Sequence, residues 1–153
     1  MIVSARRRLA ARRPGFTLLE VLVVVAILVI LAGVAGVYVF GFLDGAKTDI
    51  ATDQCGKIER AIEAYMLKPQ TQGQPPQSLQ ILYAGDNTLN PPLQPVLDGG
   101  PNSIISPFGP QYPFNYEMVS DGFRQVPRVT VQNPQNGQLI YSKKWQSLMQ
   151  QQQ

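Results

Sequence analysis

The chain has no histidine and a single cysteine, Cys55. Without histidine there is no Ser-His or Cys-His nucleophile pair, and the commonest zinc ligand is missing. One cysteine can close no disulfide within the chain and build no thiolate cluster, so Cys55 reads as a small apolar core residue. Acid is absent from one place in particular, since no Asp or Glu follows Asp121. Proline is almost absent from the first 68 residues, where Pro14 stands alone, while the other twelve of the thirteen lie from Pro69 onward. A long helix is therefore permitted early in the chain, and only short elements later. The formal net charge of +3 suggests a basic protein until the charges are placed. Arg6, Arg7, Arg8, Arg12 and Arg13 all precede Gly15, leaving 8 cations against 10 anions from Phe16 on. That balance offers no distributed basic face for nucleic acid.

What the sequence does have is a cationic leader, residues 1–15, followed by an apolar run from Phe16 to Leu43 in which Glu20 is the only ionisable side chain. As a helix this run of 28 residues reaches roughly 42 Å, enough to cross the ~30 Å hydrocarbon core of a bilayer. The arginines favour a cytoplasmic N-terminus and place everything from Asp44 on the far side. A secretory signal peptide, cut near Gly33-Val34-Ala35, competes with this reading, but the run is longer than an ordinary h-region and contains a carboxylate. A lipoprotein lacks its cysteine at the end of the run. A plain signal anchor leaves Glu20 without a reason.

A carboxylate in a spanning helix costs on the order of 2.5–3.5 kcal/mol and is by default functional. Glu20 either sits at the membrane edge and snorkels to water, or it meets a partner charge at its own depth. Cutting after Gly15 supplies that partner, because it creates a cationic α-amino group on Phe16 that another copy's Glu20 can receive. The stretch Arg12-Arg13-Pro14-Gly15-Phe16-Thr17-Leu18-Leu19-Glu20-Val21 resembles the processing site of type IV prepilins and type II secretion pseudopilins. The resemblance implies that a membrane-embedded prepilin peptidase cuts after Gly15 and methylates Phe16, and that Glu20 neutralises a neighbouring Phe16 amine during assembly. Where many relatives carry a late helix-breaking proline, this chain has Val37, with Gly33, Gly36 and Gly41 nearby as weaker helix positions.

Past Leu43 helical periodicity continues to Lys68, with Pro69 as the stop. Ala46, Ile50, Cys55, Ile58, Ala61, Ile62, Tyr65 and Met66 form the expected apolar face, and Lys47, Asp49, Asp53, Lys57, Glu59, Arg60 and Glu63 the water-facing one. Residues 76–84 predict a two-turn helix with Leu79, Leu82 and Tyr83 inward, and residues 85–111 an extended loop. Three strands are expected: Tyr112 to Val119, then Phe123 to Val131 at an edge because of Pro127, and Leu139 to Trp145 after an Asn136-Gly137 turn. The expected fold is α+β, a long N-terminal helix, half transmembrane and half amphipathic, packed against a small three-stranded antiparallel sheet. Its parts are a cleaved leader (1–15), a transmembrane and assembly helix (16–43), an amphipathic continuation (44–68), a periplasmic α/β part (69–149) and a glutamine tail (150–153).

Ile105-Ser106-Pro107-Phe108-Gly109-Pro110-Gln111-Tyr112 is similar to an element of the major pseudopilin of type II secretion, with Ser106 and Phe108 as substitutions. The likeness is strong over residues 12–50, moderate to 115 and poor afterwards. It implies a structural subunit, not an enzyme, single-pass in the inner membrane with its C-terminal part in the periplasm. Its partners would be further copies of itself in a helical filament, the prepilin peptidase, an inner-membrane assembly platform and minor pseudopilins. The alternative is a type IV pilin for adhesion, motility or DNA uptake, although such pilins usually close a C-terminal loop with a disulfide. A tethered enzyme would have to rely on Glu117 and Asp121, which fall at a strand end and a turn. Major pseudopilins commonly hold calcium in an acidic C-terminal loop. This chain has no acid there, so neither a metal nor a cofactor is expected.

Overall fold

A computed structural model describes residues 15–151, the side chains of residues 37, 38 and 40 excepted. The leader reading therefore falls outside the described residues up to position 14, as do the last two glutamines. The chain divides into two units, one ending at Gly41 and the other running from Phe42 to Gln153.

Helix α1 (Leu18–Met66) contributes to both units. In the first, every residue from Gly15 to Ala35 is exposed, so the chain itself covers none of this apolar surface. Its most apolar stretch has a mean hydropathy of 3.0, and it is long and apolar enough to cross a membrane.

In the second unit the outer part of α1 lies on a sheet of three strands in the order β1-β2-β3, made by β1 (Asn115–Ser120), β2 (Gln125–Gln132) and β3 (Leu139–Tyr141). Both pairings are antiparallel, with Asn115 opposite Thr130, Ser120 opposite Gln125, and Val131 opposite Ile140. The core is formed where Ala51, Cys55, Ile58, Ile62 and Tyr65 of α1 meet Val129, Val131 and Ile140 of the sheet, closed by Leu82, Leu93 and Phe114. The short helix α2 (Gln80–Ala84) inserts Leu82 and leaves Tyr83 half-buried. The end of α1 is closed by the buried Thr71, whose hydroxyl lies 2.8–3.1 Å from the carbonyls of Lys68, Tyr65 and Met66. The Tyr65 and Lys68 carbonyls also accept the backbone N–H groups of Lys68 and Thr71, so the hydroxyl matters most at Met66.

Three expectations are corrected. The third strand stops at Tyr141, and Lys143–Gln150 forms a helix, α3. Ser142 stands before it in an extended conformation, and the following Lys-Lys-Trp-Gln-Ser-Leu-Met-Gln consists largely of good helix formers that place Trp145, Leu148 and Met149 on one side. β2 is the central strand and not an edge. It tolerates Pro127 because β3 reaches only residues 130–132, and beyond them Trp145 takes the neighbouring place, its Nε1 donating to the Pro127 carbonyl at 3.3 Å. Finally, the core face of α1 keeps Cys55, Ile58, Ala61, Ile62 and Tyr65 as expected but is wider than expected: Ala51, Thr52 and Glu59 are also buried, and Ile50 is exposed.

Candidate functional site

Gly15, Phe16 and Thr17 precede the first turn of α1 and are not helical. Thr17 is the helix cap and Glu20 the third helical residue. The Thr17 backbone N–H and hydroxyl both donate to Glu20 Oε2, at 2.8 and 3.1 Å, while the Glu20 N–H donates to Thr17 Oγ1 at 3.2 Å. This reciprocal arrangement is a capping box. It suits an apolar segment, because a spanning helix in hydrocarbon has no water to satisfy its first N–H groups. It also places a negative charge at the positive end of the helix dipole. The pattern stands in the sequence as a Thr three residues before a Glu, ahead of an apolar run.

Glu20 thus has one oxygen committed to its own chain. Among the described residues no donor reaches Oε1, so that oxygen can receive a cation from elsewhere. Phe16 is 88% exposed, and a Cβ built on Gly15 would meet nothing within 4 Å. Packing among the described residues gives no reason for glycine at position 15. A requirement for it arises when another molecule must grip the backbone closely. The site is therefore an accessible junction followed at once by a held carboxylate.

Replacing Thr17 by Ala should remove the Oγ1 acceptor while leaving the N–H contact to Glu20. A lost cap is worth about 1 kcal/mol, so amide exchange at Glu20 in bicelles should quicken about fivefold, with Thr17→Ser restoring the parent rate. Unchanged exchange in Thr17→Ala would show that the box does not form in lipid.

The other chemically notable side chains do not converge. Glu117 pairs with Arg128 at 2.6 Å. Asp121 accepts the backbone N–H groups of Phe123 and Arg124, both at 3.0 Å, and these hold its carboxyl below the usual range. Cys55 packs in the core, where burial above all, with Glu59 nearby, pushes its thiol up to about 12. Asp86, which the sequence reading placed in a plain loop, is buried. Its Oδ1 takes the N–H and hydroxyl of Thr88 at 2.9 and 2.6 Å, and its Oδ2 the Tyr65 hydroxyl at 2.6 Å. These contacts, Thr88 first, hold its carboxyl low, while burial and then Asp86 push the Tyr65 phenol up to about 12. Among the described residues no three of His, Cys, Asp and Glu are grouped as metal ligands.

Calcium binding can be tested on fragment 44–153. Melting it with calcium and then with chelator should shift Tm by under about 1 °C, whereas a site holding calcium at a hundredfold excess over its Kd adds about 2.7 kcal/mol. A large calcium-dependent rise would mean that Asp86 or Asp98 leaves its present surroundings to bind metal.

Among known families, the model for the prokaryotic N-terminal methylation motif matches residues 11–36. The matched stretch is a type IV pilin-like prepilin signal, and such a signal implies cutting by a prepilin peptidase and assembly into a filament. It contains Gly15, Phe16 and Glu20 and the start of the apolar helix, and ends before the outer unit. No curated protein and no solved structure matches the chain.

Proposed function

We propose that this chain is a structural subunit of a type II secretion pseudopilus, its major pseudopilin. It is made with leader 1–15, cut after Gly15, methylated on Phe16 and polymerised into a periplasmic filament whose growth drives folded proteins outward. The observation that carries this reading is the methylation motif joined to an apolar helical stretch in which every residue from Leu18 to Ala35 is exposed. In the membrane lipid covers that surface. In a filament other copies cover it, and each Glu20 finds the Phe16 amine of another copy.

The secretion role is favoured over a type IV pilin by the single buried Cys55, which leaves the C-terminal part without the disulfide common in pilins, and by the Ile105–Tyr112 element. The reading assigns the molecule no catalysis. Its partners are further copies, the prepilin peptidase, the inner-membrane assembly platform and minor pseudopilins. Before assembly it sits in the inner membrane with the C-terminal part in the periplasm. Cells lacking the protein decide between the roles: loss of exoprotein secretion is expected, and loss of twitching or transformation with secretion intact would assign it to a pilus.

A further inference from the structure

The outer unit carries a projection and a recess that its own fold leaves unused. The projection is the turn between β1 and β2, where Phe123 is 99% exposed. The turn is not slack: Asp121 Oδ1 holds the Phe123 and Arg124 N–H groups, and the Asp121 N–H donates to the Arg124 carbonyl at 3.1 Å. Arg124 is itself 71% exposed, and its only ion-pair contact among the described residues is a loose 3.9 Å approach to Asp121. An ordered turn thus offers water an aromatic ring beside a cation.

The recess, about 370 Å³, lies between α1 and the loop after α2. Ala61, Ala64 and Leu97 form its apolar floor, with Lys57 and Arg60 on the helix side and Asp98 on the loop side. None of these three charges makes an ion pair among the described residues. The recess offers the turn an apolar floor for a phenyl ring, two cations able to face that ring and a carboxylate for the guanidinium, the last acting against the like charge of Lys57 and Arg60.

We infer that the Phe123–Arg124 turn of one copy docks in the Lys57–Arg60–Asp98 recess of the next, as a contact between outer units in the polymer. The inference rests on the polymer reading above. Its geometry suits an open assembly. At about 100° per residue, Lys57, Ala61 and Ala64 lie along one flank of α1, whereas Glu63 and Met66, which line a second recess beside the Phe123 turn, are turned roughly 100° or more from it, with Arg60 and Leu67 between. A projection and a recess on different flanks make a heterologous contact, which propagates. Docking through the recess beside the turn would bring the same face of both copies together and close a two-fold dimer.

The test uses the full chain, co-expressed with a prepilin peptidase and its assembly machinery. The buried Cys55 makes the parent the uncrosslinked reference. Phe123→Cys combined with Ala64→Cys should give a ladder of disulfide-linked oligomers on oxidation, and neither single variant should. Asp98→Arg should lower the pelletable polymer by at least about fivefold, and adding Arg124→Glu to it should restore the polymer. A normal polymer without a ladder would overturn the inference and leave the polymer reading standing, as would a dimer from Phe123→Cys alone. A parent chain that forms no polymer would overturn both.

Discussion

Glu20→Leu is expected to leave cutting and membrane insertion intact and to reduce the polymeric fraction at least tenfold. On insertion scales the substitution removes about 2.5–3.5 kcal/mol of cost from the spanning segment, so the monomer becomes more at home in lipid. On the proposed reading it loses the anion for another copy's Phe16 amine, and a cation buried without its partner is strongly unfavourable. The structure adds a complication, because Glu20 also accepts the Thr17 N–H and hydroxyl. Glu20→Gln separates the two roles, since an amide oxygen can still close the capping box but carries no charge. Assembly lost in both variants identifies the charge as the essential feature. Assembly restored by Gln would make Glu20 a helix cap and nothing more, and uncut precursor in either variant would make it a determinant of peptidase recognition.

The second large effect is expected at Glu59, in the middle of the outer unit. Its Oε1 accepts the Val129 N–H of β2 at 3.0 Å and its Oε2 the Ser142 hydroxyl at 2.6 Å, tying α1 to the sheet and to the start of α3. Glu59→Ala leaves both donors buried and unpaired, and should cost fragment 44–153 about 3 kcal/mol in urea unfolding. Glu59→Gln should behave in the opposite way. Burial, the largest influence, raises the Glu59 carboxyl above its ordinary value against the opposing pull of Ser142, Val129 and Lys144, with Glu63 adding to the rise. A carboxyl raised in the folded state binds its proton more tightly there than in the unfolded chain. Its contribution is therefore most favourable below the ordinary glutamate range of about 4.3 and is lost as pH rises through the folded value. The glutamine keeps an acceptor for Val129 and a donor for Ser142 without a charge to desolvate. At pH 7 it should melt a few degrees above the parent, with the gap closing towards pH 4. A glutamine variant as damaged as the alanine one would show that the carboxylate charge is needed.

How much of this could be read from the sequence depended on the range over which each signal acts. Pro69 sits just past the end of α1, and Ser120-Asp121-Gly122 and Asn136-Gly137 fall in the two hairpin turns, because local backbone chemistry decides such features. The α+β architecture followed from those signals together with the apolar periodicity. Glu59 was misplaced on the water-facing side because its burial depends on Val129 and Ser142, 70 and 83 residues away. Leu139 to Trp145 alternates well enough for a strand, yet Trp145 is buried from a helix. Its indole finds the Pro127 carbonyl and lies 5.5 Å from the Arg128 guanidinium, partners that β2 supplies. Ile50 follows the expected helical spacing but is 51% exposed beside a fully buried Ala51, so the line of contact with the rest of the unit passes to one side of it. At the candidate site the roles proposed for Gly15 and Phe16 rest on the motif, whereas the Thr17 cap on Glu20 needs only local spacing.

The central claim is that Gly15 and Phe16 mark a cut after which the new terminus is methylated, and mass spectrometry of the N-terminal peptide from membrane-extracted protein tests it most directly. The account predicts a chain beginning at Phe16 with one methyl group on its amine. A terminus near Val34 to Val37, as a secretory signal peptide would leave, or an intact Met1 in cells with an active prepilin peptidase, would contradict it.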